Sequence, residues 1–292
     1  MESSFHSLSL QEHPQYKEFL ARTPQIASDY SFGNLWAWRE IYGLQWACDG
    51  ELVWIRQTQP HHVYWAPVGP WHQVDWSGRL RELARENPSL TRIPEDLATI
   101  WQTVPGVNLE PDPDHWDYIY SVPELTQLKG NKFHKKKNLL RQFHRNYQWE
   151  YVPLDLSRIE QALTLQTEWC LWRDCEDSAT LEMENQAILA TLRDWQRLED
   201  VFGGGLIVDG NMAAYTIADP LDEETLVIHF EKACPTFKGI YQAINQIFLE
   251  REGFAYTFVN REQDLGDPGL RQAKQSYNPV SYLKKYSGSL TG

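Results

Sequence analysis

The chain has 292 residues, with 27 basic against 40 acidic side chains and a net charge of −13. So acidic a surface repels the phosphate backbone, which excludes broad non-specific nucleic-acid binding and leaves a polyanionic partner only a local basic patch. Hydrophobic content of 42% and 13 tryptophans are those of a globular chain with a sizeable core, enough for one large domain or two ordinary ones.

No apolar run approaches the roughly 20 residues that cross a bilayer. The opening "MESSFHSLSLQEHPQYKEF" has neither the basic start nor the apolar centre of a signal peptide. A soluble, cytoplasmic protein is expected. The four cysteines, Cys48, Cys170, Cys175 and Cys234, are scattered and read as reduced core thiols rather than a disulfide framework.

In chain order, "NLWAWREIYGL" (34–44) predicts a helix. "LQWACDGELVWIRQ" predicts two strands joined at Asp49-Gly50, a strong hairpin signal. "HHVYWAPVG" is a further strand, "WSGRLRELARENP" a helix ending before Pro88, and "DYIYSVPEL" a strand running into a loop. The second half repeats the order. A helix begins near Asp155 or Ser157, and another follows in "AILATLRDWQRLED". A hairpin turns at Asp209-Gly210, "TLVIHFEKA" is the next strand, and "IYQAINQIFLERE" puts Ile240, Ala243, Ile244, Ile247 and Phe248 on one helical face. "FAYTFVN" returns as a strand. The fold class expected is therefore α+β (mixed α/β), one mixed sheet flanked by helices in each half. The halves are 1–125 and 126–292, joined around "SVPELTQLKGNKF".

Three stretches carry candidate chemistry. In "LKGNKFHKKKNLLRQFHRNYQWEY", Lys137, Arg141 and Arg145 recur every fourth residue on a helix, with Lys129, Lys132, Lys135 and Lys136 beside them. Such a stripe suits a phosphate-bearing ligand, although a solvated charged face explains it equally. In "EKACPTFKGIYQAINQ", Glu231 ends a strand and Lys238-Gly239 opens a helix. Free amides at a helix start attract anions, while ordinary turn chemistry is the plainer account.

The third stretch is "YTFVNREQDLGDPGLRQAKQSY". Asn260, Arg261, Glu262 and Asp264 leave a strand at the end where α/β sheets place ligands. Asp267-Pro268 then starts a helix bearing Arg271 and Lys274. An internal charge network pinning the loop is the alternative. Phosphate-binding GxxxxGK[ST], GxGxxG, HExxH and GxSxG motifs are absent from the sequence. No metal-ligand spacing is present, so no metal is expected.

"LKGNKFHKKKNLLRQF" followed by "VNREQDLGDPGLRQAKQSYNPV" resembles a bacterial family of unknown function related to the C-terminal domain of phosphatidylglycerol lysyltransferases. The resemblance spans most of the chain and implies a tandem duplicated GNAT-like acyltransferase fold. Relatives of known activity move an aminoacyl group from a charged tRNA to a lipid hydroxyl, and more distant Fem-like ligases move it to a peptidoglycan amine. Compared with the lysyltransferases, the chain lacks the membrane-spanning half. Only Lys238 and Gly239 remain of the pyrophosphate loop of acetyl-coenzyme-A enzymes.

The resemblance implies an acyl or aminoacyl transferase with no tightly bound cofactor. Its donor would be an aminoacyl-tRNA, bound at the acceptor end, or an acyl-CoA coenzyme. Its acceptor would be an amine or hydroxyl on a small molecule, peptide or lipid headgroup. The expected site has Lys132, Lys136, Lys137, Asn138, Arg141, Lys238, Gly239 and Asn260 binding substrate. Glu231, Glu262 or Asp264 is the general base, Arg261 and Lys274 orient the acceptor or meet the oxyanion, and Tyr277 donates a proton. A non-catalytic module for a phosphorylated metabolite or tRNA end is the alternative. Docking of the basic helix on an anionic membrane ranks last.

Overall fold

The computed structural model describes residues 5–291. Its elements in chain order are β1 His6–Ser7, α1 His13–Leu20, α2 Phe32–Trp38, β2 Gln45–Cys48, β3 Val53–Gln57, β4 Val63–Trp65, α3 Trp76–Leu83, β5 Ser89–Pro94, α4 Glu95–Trp101, β6 Val107–Pro111 and β7 Asp117–Ser121. There follow α5 Val122–Gln127, α6 His134–Asn146, β8 Trp149–Pro153, α7 Leu156–Arg173, α8 Ala179–Arg193, β9 Phe202–Val208, β10 Asn211–Pro220, β11 Thr225–Ala233, α9 Ile240–Arg251, β12 Phe258–Asn260, α10 Pro268–Gln275, β13 Ser281–Leu283 and β14 Lys285–Leu290.

Contacts divide the chain into two units. One comprises residues up to Tyr118, Glu262–Arg271 and residues from Tyr282 on; the other comprises Ile119–Arg261 and Gln272–Ser281. The first unit is built on a sheet of order β1-β2-β3-β4-β5-β14-β6, antiparallel except for the parallel pair β4 and β5. Its core is aromatic: Trp54, Trp65, Trp71 and Trp101 are almost wholly buried. A charged quartet is sealed inside. Lys285 Nζ bonds the Asp29 carboxylate and lies 2.7 Å from Asp117, while Arg92 Nε lies 2.8 Å from Asp29. Two acids balance two bases, which is how charges persist away from water.

The second unit repeats the plan, with order β13-β7-β12-β11-β10-β9-β8; β11 and β12 pair in parallel, while β12 with β7 and the run from β11 to β8 are antiparallel. In each unit a three-stranded meander leads through a helix, α3 or α9, into the parallel strand. Helices α6 and α9 bury Phe143, Ile240, Ala243, Ile244 and Ile247 against Leu206, Val208, Ala214 and Ala233 of one sheet face. Burying such side chains stabilises by roughly 1.5–3 kcal/mol each for the larger ones.

Three local expectations are corrected. The helix expected over 34–44 ends at Trp38, and the chain then turns through Gly43 at φ 54°. The loop expected after β7 is α5: Ser121 accepts from the Glu124 amide and Pro123 sits in the first turn, a complete start signal. Cys170 and Cys175 are not reduced thiols; they form a disulfide with Cα atoms 5.0 Å apart. Asp174, in left-handed conformation, caps α7 and turns Cys175 back beside Cys170, a reversal that spacing along the sequence does not announce. Cys48 and Cys234 are free. Among the described residues no helix is long and apolar enough to cross a membrane.

Candidate functional site

The second unit places its chemistry where two parallel strands part. β12 pairs with β11 only over Thr225–Val227, whereas β11, held by β10 on its other edge, continues to Ala233. Glu231 lies on this continuing stretch, and Arg261 is the first residue beyond β12. Arg261 Nη2 lies 3.1 Å from Glu231 Oε1, and Asn245 of α9 donates to Oε2 at 3.2 Å. Glu231 is nine-tenths buried, its side chain 9% exposed. Both of its oxygens therefore already accept one hydrogen bond.

The Arg261 guanidinium is bracketed by aromatic rings, 4.9 Å from Tyr277 and 5.8 Å from Tyr120. Lys136 of α6 reaches the same Tyr277 ring, with its Nζ 3.9 Å from the ring centre, and donates to Ser276 Oγ at 2.6 Å. Gln242 of α9 donates to the Tyr277 hydroxyl at 3.3 Å. Lys274 Nζ donates to the Arg261 carbonyl, and the Tyr120 hydroxyl donates to the Lys274 carbonyl at 2.9 Å. The segment 274–277 is thereby tied to the end of β12.

Electrostatics follow from this crowding. Burial, helped by the neighbouring guanidinium, pushes the Lys136 amine down to about 8. Burial pushes the Tyr277 phenol up, against the opposing pull of Arg261. Tyr277 thus keeps its proton at neutral pH, while Lys136 is protonated for the most part and gives up its proton easily.

Of the residues expected to act together, the structure brings Lys136, Glu231, Arg261, Lys274 and Tyr277 into contact. Asn260 ends β12 fully buried. Lys137 and Asn138 are half-buried on α6 and Arg141 and Arg145 exposed; Asn138 faces His134 at 3.4 Å. Lys132 is engaged with Glu124 at 2.6 Å in a surface pair. Lys238 is exposed, and its amide donates to the Tyr147 hydroxyl.

Gly239 has φ 90°, and a Cβ there would stand 2.2 Å from the Leu139 carbonyl oxygen. It is a contact of α9 against α6, which leaves no gap for a phosphate at that point.

Glu262 and Asp264 belong to the other unit. There Asp264 accepts from Arg271 Nε and Nη2, each at 2.8 Å, from the Gly266 amide and from the Tyr118 hydroxyl. Burial works to raise its pKa, but the bonds from Arg271 and Tyr118 outweigh it and hold the carboxyl below the usual range. A carboxylate so engaged fixes a loop and is a poor base.

Sequence reasoning missed Gln242, Asn245, Tyr120 and Ser276. Asn245, beside Ile244 and Ile247 in a helix that packs on the sheet, was the one available signal, since a buried amide requires a partner.

On the opposite face of β11, Lys232 pairs with Glu184 at 2.7 Å over the Trp169 ring, and Trp169 Nε1 donates to Tyr241 at 3.0 Å. Among the described residues no group of three or more His, Cys, Asp or Glu is placed to hold a metal ion.

The family model described as phosphatidylglycerol lysyltransferase, C-terminal, matches residues 20–287. A crystal structure of a conserved protein of unknown function from Bacteroides thetaiotaomicron is 32% identical, covering 98% of this chain and 99% of that one, with a TM-score of 0.90. The C-terminal domain of a putative lysylphosphatidylglycerol synthetase from Agrobacterium fabrum is 13% identical over 97% and 93% of the two chains, with a TM-score of 0.68. The fold is also that of a tandem GNAT protein from the clavulanic acid pathway, at 10% identity over 98% of each chain and a TM-score of 0.50. An uncharacterized protein of Mycoplasmoides gallisepticum is 24% identical over 58% of this chain. The match spans about half of that relative, 54% of its length.

Proposed function

The chain belongs to the family of phosphatidylglycerol lysyltransferase C-terminal domains, and from that premise we propose that the parted strands of its second unit form the reaction centre of an acyl or aminoacyl transferase. The donor is an aminoacyl-tRNA or an acyl-CoA, and the acceptor an amine or hydroxyl. One observation carries the reading: a cation from α6 and a cation from the exit of β12 both lie against the Tyr277 ring, and the second of them is paired with a buried carboxylate.

The residues divide the work as follows. The Lys136 ammonium attracts the donor and meets the oxyanion as the acceptor attacks the acyl carbon. Lys137 and Arg141, which make no ion pair among the described residues, extend the positive strip along α6 toward the donor's phosphates. Glu231 takes the acceptor's proton on a remaining lone pair, and the Tyr277 hydroxyl, kept protonated by burial, protonates the leaving alkoxide or thiolate. Return of the proton from Glu231 to Tyr277 restores the starting state. Arg261 holds Glu231 in place.

The test is single-turnover transfer from a panel of charged tRNAs and acyl-CoA donors. Lys136→Met should lower the rate about 100-fold or more, the range lost with one transition-state donor, while circular dichroism stays native. Because both Glu231 oxygens are already engaged, a non-catalytic module for the same phosphorylated ligands is the second reading. Calorimetric binding of those ligands without turnover would favour it.

A further inference from the structure

We propose that Lys136 is itself an acylation site, modified by activated esters or thioesters when no acceptor is present. The proposal rests on the transferase reading for its biological donor, though its chemistry does not.

Several lysine ammonium groups in the structure are held by anions. Lys132 pairs with Glu124, Lys232 with Glu184, Lys284 with Glu95, and Lys285 with Asp29 and Asp117. Lys136 has a neutral hydroxyl, a ring face and a nearby guanidinium instead. Nothing in that setting requires it to stay charged, and the guanidinium opposes the charge. Contact with Tyr277 and Ser276 fixes the amine beside the Glu231–Arg261 pair, so a donor entering the site meets it at short range. Loss of its proton near pH 8 supplies the free amine that nucleophilic attack needs.

The step balances without a further reagent. The neutral Nζ attacks the acyl carbon, a C–N bond forms, and the C–O or C–S bond breaks. The departing alkoxide or thiolate takes the proton lost by Nζ. The product is a neutral amide, which no longer presents a cation over Tyr277. The site would then be switched off by its own donor.

The experiment incubates the full chain at pH 7.5 with the acetyl thioester of N-acetylcysteamine and follows each lysine by peptide mass spectrometry. Lys136 has a far larger neutral fraction than an ordinary lysine, partly offset by weaker intrinsic nucleophilicity. It should therefore be acetylated about 10-fold faster than Lys135 or Lys137. Its rate should rise with pH and level off above 8. Equal rates at the three lysines would overturn the proposal. The probe needs no acceptor and no turnover. A chain that labels at Lys136 but transfers nothing therefore keeps this inference and loses the enzymatic one, and a chain that transfers without labelling does the reverse.

Discussion

Arg261 and Lys136 are both cations at the site, yet their replacement should have opposite effects on stability. Arg261→Ala leaves Glu231 buried with only Asn245 as partner, and denaturant unfolding should register a loss of about 3–5 kcal/mol. Lys136→Met removes an amine whose pKa is lowered from 10.5 to about 8 on folding. For such a base the unfolded chain binds the proton more tightly. Folding is thus opposed below pH 8, and the penalty fades between 8 and 10.5. The variant should be more stable than the parent at pH 7, by about 1 kcal/mol once solvent screening of a half-buried amine is allowed for. The gain should vanish at pH 10.5.

At this scale the sequence was legible in part. The mixed charges after β12 pointed to Arg261, and the α6 lysines to Lys136. The same pattern named Asp264, whose side chain serves the other unit, because a run of charges does not reveal which way each one turns. Gln242 and Asn245 were hidden, since their helix reads by its apolar face alone.

Among the elements, the junction of α9 with α6 yields a sharp contrast between neighbours. Gly239→Ala must fit a Cβ against the Leu139 carbonyl at φ 90°, and should cost about 2 kcal/mol or more in thermal or denaturant unfolding. Lys238→Ala, at an exposed side chain, should change stability by less than about 0.5 kcal/mol. Reduction of Cys170–Cys175, which closes a very short loop at the end of α7, should lower stability by about 2 kcal/mol on loop-entropy grounds. A Cys175→Ser variant should show the same deficit and no further response to dithiothreitol.

Long periodic helices and both Asp-Gly hairpins were readable because their signals are local. β5, β6 and β14 were not: "SLTRIP", "VNLEP" and "KYSGSL" are short and mixed in polarity. β14 enters the first sheet between β5 and β6 from the far end of the chain, a pairing set by tertiary packing.

For the molecule as a whole, two mixed sheets, each with a parallel pair beside a three-stranded meander, make the duplication plain in topology while it is faint in sequence. The first unit depends on its buried quartet for the pH range of its stability. Burial works to raise the pKa of Asp29, but Lys285 and Arg92 outweigh it and bring it below 3.8; burial works to lower that of Lys285, but Asp117 and Asp29 outweigh it and bring it above 10.5. The acid's contribution is present above about pH 4 and lost as pH falls through its folded value. The base's contribution is present below about 10 and lost as pH rises through its own. The quartet's contribution to unfolding free energy should therefore hold a plateau between these limits and decline outside them, and Asp29→Asn should lower stability within them by about 3–5 kcal/mol. A Trp-fluorescence denaturation series across pH reads both.

The central claim is that Lys136 of α6 and Arg261 beyond β12 share one place on Tyr277. Carbon-13 NMR titration of the lysine ε-carbons reports it most directly. The account predicts one resonance, assigned by its loss in Lys136→Met, that titrates near 8 and moves up toward the ordinary lysine value in Arg261→Gln. A Lys136 that titrates with the exposed lysines, and that ignores the change at Arg261, would contradict it.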